Sequence, residues 1–124
     1  MGLARANRLK GWRDFQAVYE RGDRHHGRYL TLRCFQGIPP DAPPQMGIAV
    51  GKRVSKKAVV RNQIKRRLRL ALRHLLPQIN GGYQLVINVK PGAISCEYEH
   101  FLRELEQLLI RTEAWHGYKR NRIL

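Results

Sequence analysis

The chain is organised around residues 52–73, which read KRVSKKAVVRNQIKRRLRLALR. The segment contains ten Lys or Arg residues and no Asp or Glu. Ser55 is a candidate N-cap, and Pro77 ends any helix at about Leu76, so the pattern predicts one helix between them. At about 100° per residue, the apolar side chains form one stripe of Val60, Ile64, Leu68, Ala71 and Leu75. We expect this side of the helix to be buried against the core of the protein.

The opposite side of the predicted helix is cationic. Its central stripe is Asn62, Arg66, Arg69 and Arg73, flanked by Lys56, Lys57, Arg61 and Lys65, with Lys52 and Arg53 leading into it. A solvated helix normally mixes charges of both signs, because opposite charges four residues apart stabilise each other. The Arg side chain donates in a fork that matches phosphate oxygens, and Asn can bond both backbone and base edges. The pattern therefore favours contact with nucleic acid.

The composition also indicates a polyanionic partner. The chain has 124 residues, which suits one domain, and its formal net charge is +15 with a sequence pI of about 10.9. Acidic residues are absent between Asp41 and Glu97, so the positive charge is concentrated in one region. No apolar run approaches the roughly 20 residues of a membrane span. We therefore expect a nucleic acid as the partner and no association with a membrane.

Groups suited to catalysis or metal binding are sparse in the sequence. Cys34 and Cys96 are far apart and in no paired spacing, which indicates buried thiols in a reducing cytosol. His25 and His26 lack further ligands at a useful spacing, so we expect a polar turn over residues 23–27 and no metal site. The N-terminus lacks the apolar segment of a secretion signal, which predicts a cytoplasmic location. The sequence thus indicates binding chemistry without catalytic side chains.

The flanking segments predict one small α/β domain over residues 1–124. The predicted elements are a helix from Trp12 to Glu20, strands near residues 28–36, 45–51 and 83–89, and a last helix from a cap at Ser95 to about Thr112. We expect the first two strands to pair with each other. The segments 1–10 and 114–124 are expected to be flexible.

Aromatic side chains form a second candidate site. Phe15 and Tyr19 share one face of the first helix. Alternation in the first strand places Tyr29, Thr31, Arg33 and Phe35 on one face. These side chains could line a groove in which unpaired bases stack. Composition alone favours ordinary core packing for them.

Together these residues resemble the protein subunit of bacterial ribonuclease P. The signature helix of that family reads roughly Arg-Asn-Arg-x-Lys-Arg-x-x-Arg, and residues 61–69 match it except at Gln63. Further similar segments are Arg8-Leu9-Lys10, Asp14-Phe15-Gln16 with Val18-Tyr19 and Gly22, Arg28-Tyr29-Leu30, Gly47-Ile48-Ala49-Val50 and the strand from Tyr83 to Pro91. The resemblance extends from Arg8 to about Ile110.

The resemblance implies an α+β fold, an α/β sandwich with the element order αβββαβα and a left-handed βαβ crossover that positions the signature helix. It implies an endonuclease whose RNA removes the 5′ leader from precursor tRNA by phosphodiester hydrolysis, with Mg²⁺ held mainly by the RNA and the substrate. The expected partners are therefore the catalytic RNA and precursor tRNA, with no obligate protein partner. The protein itself would supply no catalytic side chain.

The resemblance also implies roles for individual residues. The cationic surface from Lys52 to Arg73 would bind the catalytic RNA, with Asn62, Lys65, Arg66 and Arg69 near its active site. The cleft for the leader would contain Phe15 and Tyr19, in place of core packing, with Tyr29, Thr31 and Arg33 beside them. Arg33 stands where some members have Tyr. Gln63 replaces a signature Arg, a charge that Arg67 on a neighbouring face could supply.

Two alternatives share the basic helix. A non-catalytic RNA-binding protein, such as a small ribosomal protein or an RNA chaperone, has no need of an aromatic cleft with Phe15 and Tyr19. A DNA-binding module could place the basic helix in a major groove. The α/β setting and the absence of dimer signals count against the DNA-binding module.

Overall fold

The computed structural model describes residues 3–117. Its α-helices are α1 (Gly11–Arg21), α2 (Ala58–Leu75) and α3 (Tyr98–Ile110), and its strands are β1 (Asp23–His26), β2 (Leu30–Phe35), β3 (Gln45–Ala49) and β4 (Gln84–Val89). Short 3-10 helices occupy Arg5–Asn7, Leu76–Gln78 and Pro91–Ser95. The order αβββαβα that the resemblance implies is confirmed. Within the described residues, no helix is both long and apolar enough to cross a membrane.

The four strands form one mixed sheet in the order β1-β2-β4-β3. The pairs β1–β2 and β2–β4 are antiparallel, whereas β3 and β4 are parallel. The predicted pairing of the second strand with the first is therefore wrong, because β4 lies between them. Helix α2 forms the crossover that a parallel pair needs. The central place suits β4, since its residues Leu85, Val86 and Ile87 are buried on both faces of the sheet.

Strand β1 corrects the expectation of a polar turn over residues 23–27. Arg24 pairs with Arg33 and His26 pairs with Thr31 across the antiparallel ladder. The side chains of β1 are largely exposed. An edge strand can remain polar, and charges there discourage pairing with other chains. For this reason β1 carries no apolar alternation that sequence reasoning could detect.

One face of the sheet packs against α2 and α3. The main core contains Leu30, Leu32, Leu85 and Ile87 from the sheet together with the apolar side of each helix. In α2, the predicted stripe is confirmed, with Ile64, Leu68, Ala71 and Leu75 buried and Val60 half-buried. In α3, Phe101, Leu105, Leu108 and Leu109 are buried and Leu102 is half-buried. Burial of the apolar stripe fixes the rotation of α2 and directs its opposite side to solvent.

Helix α1 packs against β2 and β4 on the other face of the sheet. Val18 forms a small apolar cluster there with Leu9 and Val86, and Phe15 and Phe35 are half-buried beside it. Because this cluster is small, the adjoining part of the sheet face is available for polar side chains and for a ligand.

Both helices α2 and α3 begin later than the sequence indicates. The N-cap of α2 is Lys57, not Ser55, because the Ser55 hydroxyl accepts a hydrogen bond from the Lys57 amide (3.2 Å) in the turn before the helix. The N-cap of α3 is Glu97, not Ser95, because Ser95 ends the preceding 3-10 helix. The Glu97 amide donates to Nδ1 of His100 (3.3 Å).

Parts of the segments expected to be flexible are packed into the fold. Leu3, Leu9, Ala114 and Trp115 are buried. The Leu9 amide donates to the Met46 carbonyl (2.9 Å), which ties the start of the chain to β3. Apolar side chains hold these segments because they cover the edges of the core. The basic residues Lys119, Arg120 and Arg122 lie outside the described residues.

Candidate nucleic-acid interface

The cationic side of α2 faces solvent. The exposed members of this surface are Lys52, Arg53, Lys56, Lys57, Asn62, Arg66, Arg69 and Arg73. Arg61 and Lys65 are half-buried, and the Arg61 guanidinium donates to the Ser55 carbonyl (2.9 Å). Arg61 therefore also holds the turn that leads into α2. We call the full set of ten residues the α2 surface.

The charge missing at Gln63 is not replaced on the α2 surface. Arg67 is half-buried, and its guanidinium donates to the Cys96 carbonyl at the base of α3 (3.3 Å). This hydrogen bond directs Arg67 toward the α2–α3 packing, away from the exposed stripe. The α2 surface thus contains one cation fewer than the signature pattern would give it.

A second group of side chains meets between α1 and the sheet. The Asn88 amide on β4 donates to the hydroxyl of Tyr19 (2.7 Å), and its carbonyl oxygen accepts from the guanidinium of Arg33 (2.5 Å). The Arg33 guanidinium carbon also lies 4.6 Å from the centre of the Tyr19 ring. Three residues from three elements therefore form one hydrogen-bonded and cation–π unit.

Part of the Tyr19 side chain remains exposed beside this unit. Arg33 covers one face of the ring, and the Tyr19 side chain is still 39% exposed. The hydrogen bond from Asn88 fixes the ring position, which reduces the conformational entropy lost when a ligand binds. A flat, fixed aromatic ring beside a cation suits a nucleic-acid base with its phosphate.

Phe15 lies one turn earlier on α1, above β3. A Cβ added to Gly47 would overlap the ring of Phe15, so this glycine allows the ring to lie close to the strand. Phe15 is half-buried and packs against the cluster of Leu9, Val18 and Val86. Core packing and ligand contact are therefore compatible at this position.

The remaining two residues predicted for the cleft are placed differently. Tyr29 precedes β2, so the alternation of the strand does not extend to it. It packs against the α2–α3 core with the Arg28 guanidinium 5.2 Å from its ring centre. Thr31 lies on the cleft face of β2 but is buried, with its hydroxyl 3.4 Å from Nδ1 of His26. The cleft is thus formed by Phe15, Tyr19, Arg33, Gly47 and Asn88.

The cleft adjoins the α2 surface. Arg69 and Phe15 line the same groove of about 160 Å³, together with Arg8 and Gly47. An extended polyanion lying along α1 would therefore meet the side of α2 without leaving the protein surface. The two sites belong to segments that are separate in the sequence, and the fold of the sheet places them next to each other.

Sequence reasoning did not identify two residues of the cleft, Asn88 and Gly47, although each is unusual for its position in the sequence. Asn88 is the one polar residue within the apolar run from Leu85 to Val89. Gly47 lies in the interior of a strand, and a glycine there often marks close approach of another group. Neither signal identifies its partner, because Asn88 and Tyr19 are 69 residues apart in the chain.

The cysteine thiols are free and buried, as predicted. Burial, with a further contribution from the negative charge of Asp23, raises the pKa of Cys34 to about 12. Burial also raises the pKa of Cys96. Both thiols are therefore protonated at neutral pH and are poor nucleophiles. Among residues 3–117, no three His, Cys, Asp or Glu side chains are grouped to hold a metal ion.

Comparison with known proteins identifies a family. A family model described as Ribonuclease P matches residues 3–113. The Ribonuclease P protein component of Microcystis aeruginosa is 52% identical over 120 residues, covering 95% of this chain and all of the relative. That of a Picosynechococcus species is 52% identical over 118 residues with the same coverage. The Staphylococcus aureus RNase P protein shares the fold, with a TM-score of 0.77 at 23% identity over 90% of this chain and 99% of that chain.

Proposed function

This chain belongs to the ribonuclease P protein family. We propose that its two surfaces bind two different RNAs. The α2 surface binds the catalytic RNA of ribonuclease P. The cleft between α1 and the sheet binds the 5′ leader of precursor tRNA. By holding both, the protein favours substrates that still carry the leader, while the RNA cleaves the phosphodiester bond. The observation that carries the proposal is the shared groove of Arg69 and Phe15, which makes the two surfaces continuous.

The chemistry of each surface supports its assigned ligand. The α2 surface presents exposed guanidinium and ammonium groups with no neighbouring carboxylate in the helix, which suits phosphates of a folded RNA. The cleft adds aromatic rings to a cation, and this combination suits unpaired bases. A 5′ leader is the unpaired part of the substrate. Mature tRNA lacks it, so the cleft provides a basis for discrimination.

We propose that Mg²⁺ is bound by the RNA and the substrate phosphates. Among residues 3–117, no three His, Cys, Asp or Glu side chains are grouped as ligands for a metal ion, and Mg²⁺ commonly keeps several waters and binds phosphate oxygens. The protein contributes by binding and orienting the leader, with Tyr19 and Phe15 against bases and Arg33 near phosphate. We further propose that the complex acts in the cytoplasm without an obligate protein partner.

Reconstitution with a bacterial ribonuclease P RNA tests the proposal. At a Mg²⁺ concentration too low for the RNA alone to act, the purified protein should restore cleavage of precursor tRNA at the mature 5′ end. The expected cause is tighter binding of the substrate to the complex. Cleavage is measured by the release of a labelled leader. Failure to restore cleavage, with a protein shown to be folded, would contradict the proposal.

The contact between Gly47 and Phe15 yields a second, smaller prediction. Gly47→Ala places a methyl group where the Phe15 ring lies, so the ring must move away from β3. We expect the affinity for precursor tRNA to fall by about 1 kcal/mol, near the lower limit for one stacked base. Affinities of the reconstituted enzyme for precursor and mature tRNA measure the effect.

A matched control is Gly51→Ala, because a Cβ at Gly51 would meet no other atom within 4 Å. This variant should bind both tRNAs as the unmodified protein does. If Gly47→Ala keeps full selectivity for precursor, the position of the Phe15 ring is unimportant for leader binding.

A further inference from the structure

Helix α1 carries one large aromatic side chain that neither surface uses. Trp12 is 69% exposed, more than any other large apolar side chain among the described residues. Single exposed apolar residues are common on protein surfaces. Tryptophan is the costliest of them to leave in water, because it has the largest apolar area to bury. Its exposure therefore raises the question of what covers it.

Trp12 lies in line with the aromatic residues of the cleft. At about 100° per residue, Trp12 and Tyr19 differ by about 20° around the helix axis, and Phe15 falls within about 60° of Trp12. Along the axis, Trp12 precedes Tyr19 by about 10 Å. The three rings thus occupy one stripe of α1 at intervals of about one turn, an arrangement that allows successive bases to stack.

The charges around Trp12 favour a polyanion. Its neighbours Lys10 and Arg13 are both exposed, whereas Asp14, the acidic residue in the first turn, is half-buried and lies about 160° from Trp12 around the helix axis. The acidic residue Glu20 at the far end of α1 accepts a hydrogen bond from Gln16 (2.9 Å). An RNA strand on the aromatic stripe would therefore find cations beside its first ring. A second copy of this chain, with a net charge of +15, is a poorer match for the same surface.

The fold also fixes which end of the stripe Trp12 occupies. The segment before α1 is tied to β3 by the hydrogen bond from Leu9 to Met46. Phe15, one turn after Trp12, shares the groove of Arg69 on α2. By contrast, Tyr19 lies beside β2 and β4 with Arg33 and Asn88. The start of α1 is therefore the end of the stripe nearer to the α2 surface.

We infer that Trp12 is a third stacking platform for unpaired bases of the 5′ leader, at the end of the cleft nearest α2. This inference rests on the proposed function. Because the catalytic RNA would lie on α2 and cuts where the leader joins the tRNA, Trp12 contacts leader nucleotides closer to the cleavage site than Tyr19 does. The protein therefore contacts more nucleotides of the leader than the Phe15–Tyr19 pair alone would contact.

Tryptophan fluorescence tests the contact directly. Trp115 is 5% exposed, and it is the second of the two tryptophans in the chain, so Trp115→Phe leaves Trp12 as the sole tryptophan. In the reconstituted enzyme, precursor tRNA should quench this fluorescence and mature tRNA should not. If Trp115→Phe does not fold, the difference between the unmodified protein and Trp12→Phe supplies the same signal. An equal response to both tRNAs overturns the inference.

Leader truncation tests the polarity. Trp12→Ala should weaken precursor binding at least about fivefold, the lower limit for one stacked base, and leave mature tRNA binding unchanged. As the leader is shortened from its 5′ end, Tyr19→Ala should lose its effect first and Trp12→Ala should keep its effect longer.

Phe15→Ala separates failure of this inference from failure of the proposed function. If Phe15→Ala weakens precursor binding selectively and Trp12→Ala does not, the inference is wrong and the cleft stands. If Trp12→Ala instead weakens binding of the catalytic RNA alone, or changes only the oligomeric state, the inference is also wrong. If neither variant discriminates between the two tRNAs, the proposed leader cleft itself fails.

Discussion

Replacing Arg66 and Arg69 together by alanine is expected to weaken binding of the catalytic RNA on the order of a hundredfold. Both side chains are exposed at the centre of the α2 surface, and a hydrogen bond to a charged group contributes about 1.5 kcal/mol or more. Because the variant makes two phosphate contacts fewer, its binding also releases fewer counterions from the RNA. The slope of log affinity against log salt concentration should therefore become flatter by about 1.5 to 2 units.

A matched control removes the same charge from another helix. Arg103 and Arg111 are exposed on α3 and at its end and are not part of the α2 surface. Arg111 also donates to the His26 carbonyl (3.3 Å), so the folding of this control is checked before its binding is compared. Their double alanine variant has the same net charge as the Arg66–Arg69 variant, so it should share only the non-local loss of attraction. Titrations of both variants with the catalytic RNA at several salt concentrations provide the comparison. An Arg66–Arg69 variant whose slope equals that of the control rules out direct phosphate contact by these arginines.

Phe15→Ala is expected to produce the largest effect within the cleft. Stacking of one base on an aromatic side chain contributes about 1–3 kcal/mol, so precursor tRNA should bind the reconstituted enzyme about 5- to 150-fold more weakly. Mature tRNA has no leader to contact Phe15 and should bind as before. The ratio of the two affinities, measured at one salt concentration, is the informative quantity.

Val18→Ala distinguishes loss of the cleft from loss of stability. Val18 is fully buried in the apolar cluster under α1 that Phe15 also contacts, and shortening a buried side chain destabilises the fold. This variant should lower the free energy of unfolding without changing the ratio of precursor to mature affinity. If Phe15→Ala behaves in the same way, Phe15 serves only to pack the core.

The sequence determined the nature of the α2 surface. An apolar stripe with a period of about 3.6 residues must be buried, so the cations on the opposite side must face solvent. This local geometry needs no partner, and the structure confirms it from Ile64 and Leu68 to Arg66 and Arg69. The sequence also contains the segments that make the resemblance to the family. Both depend on residues that are close in the chain.

The composition of the cleft depends on contacts between residues that are far apart in the chain. Tyr19, Arg33 and Asn88 meet because the register of β2 and β4 sets Asn88 opposite Thr31, within diagonal reach of the Arg33 side chain, and because α1 packs on both strands. The tertiary structure also places Tyr29 against the main core, on the other side of the sheet from the cleft. It contains the strand β1, whose polar residues show no apolar alternation. Strand register and helix placement result from packing of the whole core. For this reason the spacing of residues along the chain predicted a cationic helix but could not predict which residues would form the cleft.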